Sequence, residues 1–189
     1  MRLLALAAAL LLATAATASE RIADKYPGSM LSDPPVEVIP GVWSAIGASA
    51  PPTYENSGHN NNLSFIVTGD GVVVVNGGAA YGLAKALHDE IRRITDQPVK
   101  LVFNENGQGH AMLGNSYWAE QGVPIVAHED AAQEIEEYGG TVLEGMKRYN
   151  RDKAEGTTVQ GPTETFSAAY IVATGDFRTE ARYPGPAHS

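Results

Sequence analysis

The chain has 189 residues, with 13 Lys+Arg against 22 Asp+Glu, five His and no Cys. Its formal net charge of -9 argues against a nucleic-acid backbone or an anionic membrane as the main partner. The length suits one domain with a real core. The lack of cysteine excludes disulfides, thiolate metal sites and cysteine nucleophiles, so a soft-metal site must use histidine.

Met1-Arg2, the apolar run Leu3–Ala13 and the triplet Ala16-Thr17-Ala18 read as a signal peptide cleaved after Ala18. The apolar run is too short to span a bilayer comfortably. The mature protein is therefore expected to be exported, periplasmic or secreted, with no membrane segment after cleavage. Ser19–Pro35 is polar and proline-bearing, a flexible lead-in, and residues 36–189 form the domain.

Val36–Ile39 and Val42–Ile46 read as two strands around the turn Pro40-Gly41. Gly47–Asn62 is a long loop, and such loops in compact domains are often functional. Leu63–Thr68 and Val72–Val75 are strands, and the unbroken valine run of the second predicts burial on both faces. Ala80, Leu83, Ala84, Leu87, Ile91 and Ile94 recur at helical spacing. Val99–Phe103 is a strand that breaks into the polar, glycine-rich loop Asn104–His110. A helix is expected from about Ala111 to Gln121, capped by Gly122, and then a strand, Pro124–Ala127, with His128 at its end. Two helices are expected next, one ending at Gly139-Gly140 and one starting in the capping box Thr141-x-x-Glu144. Tyr170–Thr174 and Phe177–Tyr183 read as two final strands.

This order predicts a mixed α/β layer structure, not a pure doubly wound sheet. If the central strands run parallel, Asn76, the Asn104–His110 loop and His128 share the sheet edge where ligands bind. Gly107-x-Gly109 between a strand and a helix is half of a dinucleotide fingerprint. Met112 stands at its third glycine position, and Glu105 would face a pyrophosphate, so that reading is set aside. No Gly-x-Ser-x-Gly nucleophile elbow is present. Among the histidines, His88 is expected on the solvated face of its helix, His59 in a loop, and His128 as a bridge between strand and helix.

From Val72–Val75 through His128 the chain resembles the first half of the metallo-β-lactamase superfamily. That family carries Asp-Thr/Ser-Gly at a strand end, then the loop His-x-His-x-Asp-His-x-x-Gly. Here the strand end is Asn76-Gly77-Gly78, and the loop falls on Asn106-x-Gln108-x-His110-Ala111-x-x-Gly114. Gly185-Pro186-Ala187-His188-Ser189 is similar to the segment that carries a later histidine ligand. An exported branch with an Asn-Gly-Gln-x-His loop, similar to members found with sulfur-oxidation and quinoprotein systems, matches this variant.

The resemblance implies an αββα sandwich, of which the chain holds the first αβ half and the start of the second. It implies metal-assisted hydrolysis of an ester, thioester, lactam or related acyl bond in a small-molecule substrate. The implied ligands of a divalent metal, zinc by resemblance, are His110 and His188, with Asn106 and Gln108 as weak oxygen donors. The amide-for-histidine exchanges keep open a non-catalytic family member acting as a periplasmic binding or partner protein. A domain that is C-terminally incomplete would leave an apolar sheet face, which implies self-association or a missing C-terminal half.

Overall fold

The computed structural model describes residues 29–175 and 177–185. The signal peptide and His188 therefore lie outside the described residues. Among the described residues, nine strands and four α-helices follow one another along the chain.

Seven strands form one sheet in sequence order: β1 (Val36–Ile39), β2 (Val42–Ala45), β3 (Leu63–Val67), β4 (Val72–Val75), β5 (Val99–Asn104), β6 (Ile125–His128) and β7 (Glu164–Phe166). β1 to β4 form an antiparallel meander, and β4 to β7 run parallel. Short turns can join only antiparallel neighbours, so each parallel step is bridged by a longer crossover. Among the described residues, the last two strands, β8 (Ala169–Thr174) and β9 (Phe177–Arg182), pair with each other as a separate two-stranded sheet.

Helices α1 (Tyr81–Ile94), α2 (Gly109–Met112), α3 (Asn115–Glu120) and α4 (Glu129–Asn150) pack mainly on one sheet face. Val72 and Val74 of β4 and Val102 of β5 meet the helices, whereas Val73, Leu101, Phe103 and Val126 point to the other face. The β8–β9 hairpin covers that second face with Tyr170, Val172 and Ala181. The valine run is thus buried on both sides, as its lack of alternation predicts.

α1 buries Leu83, Ala84, Leu87 and Ile91, and carries a Lys85–Asp89 pair on its wet side. Its first turn is capped from outside, because the Tyr81 N–H donates to Thr157 Oγ1 at 3.0 Å. His88 is a correction. It is 9 % exposed rather than solvated, its Nδ1 sits 2.8 Å from the Tyr117 hydroxyl, and its ring packs on Trp118.

Two helix boundaries also differ from expectation. The helix after the central loop is broken into α2 and α3 at Leu113-Gly114. Gly114 allows a close backbone approach there: a Cβ would lie 2.0 Å from the Gly77 carbonyl oxygen. The two helices around Gly139-Gly140 are instead one, α4. Both glycines stay helical despite their weak propensity, with Gly139 buried and Gly140 on the exposed side. Val159 presses so closely on Gly139 that a Cβ there would be 2.7 Å from its Cγ1.

Candidate functional site

The C-terminal ends of β4, β5 and β6 lie side by side, so Asn76, the Asn104–His110 loop and His128 do share one sheet edge. Asn76 is buried and takes a left-handed backbone (φ 70°). A short polar side chain tolerates this conformation better than most. Its N–H donates to the Phe103 carbonyl at 2.7 Å, and its Oδ1 accepts from the Glu105 N–H at 3.1 Å. The two strand ends are thereby stitched together, and Glu105 is aimed outward.

Beneath the loop lies a closed amide pair. Asn115 Nδ2 donates to Asn104 Oδ1 at 2.7 Å, and Asn104 Nδ2 donates back to Asn115 Oδ1 at 3.1 Å. Asn104 Nδ2 also reaches the Ala111 carbonyl, and Asn115 Nδ2 the Gln160 carbonyl. Trp118 Nε1 donates to the Gly77 carbonyl at 3.0 Å. These bonds hold the loop, the end of β4 and α3 as one body.

On the loop, the Gly107 N–H donates to Glu134 Oε2 of α4 at 3.1 Å. Asn106 Oδ1 accepts from the Gln108 N–H at 2.9 Å, so this expected metal donor is spent on its own turn. Gln108 is exposed at the start of α2. His110 is half-buried, with Nε2 at 3.3 Å from Glu105 Oε1. The structure therefore brings His110 together with Glu105. Glu105 was not assigned a ligand role by the sequence pattern, although its place five residues before His110 was a usable signal.

His128 is fully engaged. Its Nδ1 accepts from the Asp130 N–H at 3.1 Å and caps α4, which leaves the proton on Nε2, bonded to the Ser167 carbonyl at 2.9 Å. Its ring stacks on Tyr183 at 3.6 Å between centroids. The bridge between strand and helix is its structural role. His59 lies in the loop, as expected, but not on its surface. It is fully buried, its Nδ1 accepts from the Ser32 N–H at 3.0 Å, and burial lowers its pKa to about 4. Leu31, just before Ser32, is buried as well.

Among the described residues no three His, Cys, Asp or Glu side chains converge as a metal site. The donors at the edge are His110 and Glu105, whereas structural or catalytic zinc takes at least three protein ligands. The described set is thus too small to hold zinc by itself.

A cavity of about 360 Å³ opens beside this edge, between the second sheet face and β9. It shares Asn104 and Glu105 with the loop just described.

No protein-family model matches the chain, and no curated protein matches it. Among solved structures, a metallo-beta-lactamase from Pontibacter korlensis is similar, with a TM-score of 0.59 and 21% sequence identity. The match covers 80% of this chain and 60% of that one, so the chain spans well under the full length of that structure. The likeness shows that the fold is metallo-β-lactamase-like, with the candidate edge on its parallel strands.

Proposed function

We propose that this chain is an exported metallo-β-lactamase-fold hydrolase that cleaves an ester, thioester, lactam or related acyl bond of a small molecule. The carrying observation is the placement of His110 and Glu105, in contact, on the parallel-strand edge of this fold. An imidazole beside a carboxylate can take and return a proton within hydrogen-bond reach of a substrate. A divalent metal, zinc by resemblance, would be shared by His110 and His188, with Gln108 as a weaker donor and Asn106, bonded to the Gln108 N–H, bracing the loop. Such an ion supplies Lewis-acid polarisation of an acyl carbonyl when bound.

The test is metal analysis of purified protein together with ester turnover. Near-stoichiometric zinc or iron and measurable turnover, both lost in His110→Ala, are expected. No metal at any loading and no turnover overturn the reading. A second reading is then left, a non-catalytic binding or partner protein in the periplasm. The closed Asn104–Asn115 pair and the self-bonded Asn106 favour it, because amides satisfied within the scaffold offer little to an ion.

A further inference from the structure

The cavity beside the edge has two chemically different parts. Its floor is apolar: Ile66 of β3, Val75 of β4, Phe103 of β5 and Phe166 of β7. Ala181 of β9 and Tyr183 roof it. Phe103 is held from the side by Tyr170, whose ring meets it edge-on at 5.6 Å. Tyr183 is fixed by its stack on His128 and by its hydroxyl, which donates to Asp130 Oδ2 at 2.8 Å. The apolar walls are thus set by packing before any ligand arrives.

The polar part lies at the rim, on Glu105, Glu180 and Arg182. Arg182 Nε donates to Glu180 Oε1, and Arg178 donates to Glu180 Oε2 from the other side. The lining cation is therefore already held by a carboxylate. A negatively charged ligand would meet the Glu105 carboxylate and an arginine already paired with Glu180, whose own charge Arg178 and Arg182 offset.

From this division we infer that the cavity is the acyl subsite of the edge. It takes an uncharged, apolar acyl or aryl group whose reactive carbonyl lies towards Glu105 and His110. The inference rests on the hydrolase reading for the word acyl, while the preference for an uncharged apolar ligand rests on the cavity alone. At ~30 Å³ per water-sized group, the volume suits about a dozen such groups, a medium-length acyl chain or one substituted ring.

Two measurements test it on the full chain. The first is fluorescence titration with the neutral probe N-phenyl-1-naphthylamine, displaced by methyl octanoate. Saturable one-to-one binding is expected, with affinity at least about tenfold weaker in Ala181→Phe, which fills the roof. The second is kcat/KM for 4-nitrophenyl esters from acetate to decanoate. A rise of up to about fourfold per methylene is expected until the cavity is full. An ester whose acyl chain ends in a carboxylate should be at least about tenfold poorer than its neutral counterpart.

Should Ala181→Phe fail to fold, Phe166→Ala serves instead, with the preferred chain length moving upward. Probe binding that is not saturable, or that Ala181→Phe leaves unchanged in a folded protein, overturns the inference. Binding that obeys these rules without any ester turnover keeps the subsite and sinks the hydrolase reading. Turnover that ignores chain length, with no saturable binding, does the reverse.

Discussion

Replacing Asn115 with Ala tests whether the amide pair is the keystone of the edge. Asn115 is fully buried and makes three bonds, to Asn104 Oδ1 at 2.7 Å, from Asn104 Nδ2 at 3.1 Å and to the Gln160 carbonyl at 3.0 Å. Truncation leaves Asn104 Oδ1 buried with no partner from Asn115, at a cost of about 1–3 kcal/mol. Asn104 Nδ2 keeps the Ala111 carbonyl at 2.8 Å, so its loss is smaller. Gln160 is half-buried, and its freed carbonyl can turn to water. The expected total is about 2–4 kcal/mol, a large share of a typical domain stability. Urea unfolding followed by fluorescence of the two tryptophans reads it. Because the pair is reciprocal, Asn104→Ala with Asn115→Ala should cost about 1–2 kcal/mol less than the sum of the single changes. A single-mutant loss below about 0.5 kcal/mol, or strict additivity, refutes the keystone role.

In α4, Gly140→Ala should stabilise by about 0.5–1 kcal/mol, since nothing lies within 4 Å of a Cβ there. Gly139→Ala should show no such gain, because Val159 Cγ1 would sit at 2.7 Å; paired thermal melts decide. Gly114→Ala should destabilise far more than either, with a Cβ forced to 2.0 Å from the Gly77 carbonyl oxygen, and it should appear as loss of soluble folded protein by circular dichroism. Acidification probes His59, whose pKa burial lowers from 6.5 to about 4. The unfolded chain takes up a proton that the folded chain refuses, so stability is full above pH 6.5 and falls between pH 6.5 and 4, by up to about 3 kcal/mol. His59→Gln should flatten the difference in melting temperature across that window, and an unchanged slope would remove His59 from the account. His88, lowered to about 4 chiefly by burial, adds a residual slope of the same sign.

Most of the strands were legible because their signals are local. The valine run of β4, the Pro40-Gly41 turn and the apolar period of α1 each act within a few residues. What the sequence concealed was decided by partners far along the chain. Gly139-Gly140 reads as a stop, yet Val159 packs against it and α4 runs on. His88 sits among charged residues in sequence but faces Tyr117 and Trp118 in space. β7, three residues long, is too short for a periodic pattern and is recruited by β6. At the site the loop position was legible and its wiring was not. Which acceptors remain for a ligand depends on bonds such as Asn106 to Gln108, which no spacing rule reveals.

That wiring bears on what the edge can do. A side-chain amide can support a site in two ways, by offering its oxygen to a ligand or by fixing the groups that do. Asn76, Asn104, Asn106 and Asn115 all take the second way, since each side-chain oxygen accepts a hydrogen bond from the protein. The groups so fixed are Glu105 and His110, and next to them the apolar cavity under β9. On the proposed reading, such an edge would gain selectivity from shape and from one carboxylate–imidazole pair, not from a dense set of ligands. Exchanging Asn106→His and Gln108→His together is the corresponding gain-of-function test. If scaffolding amides are what keep metal affinity low, the double variant should bind zinc at least about tenfold more tightly by competition with a chelator. Unchanged affinity in a folded double variant would mean that the loop backbone, held by Glu134 at Gly107, sets the limit instead.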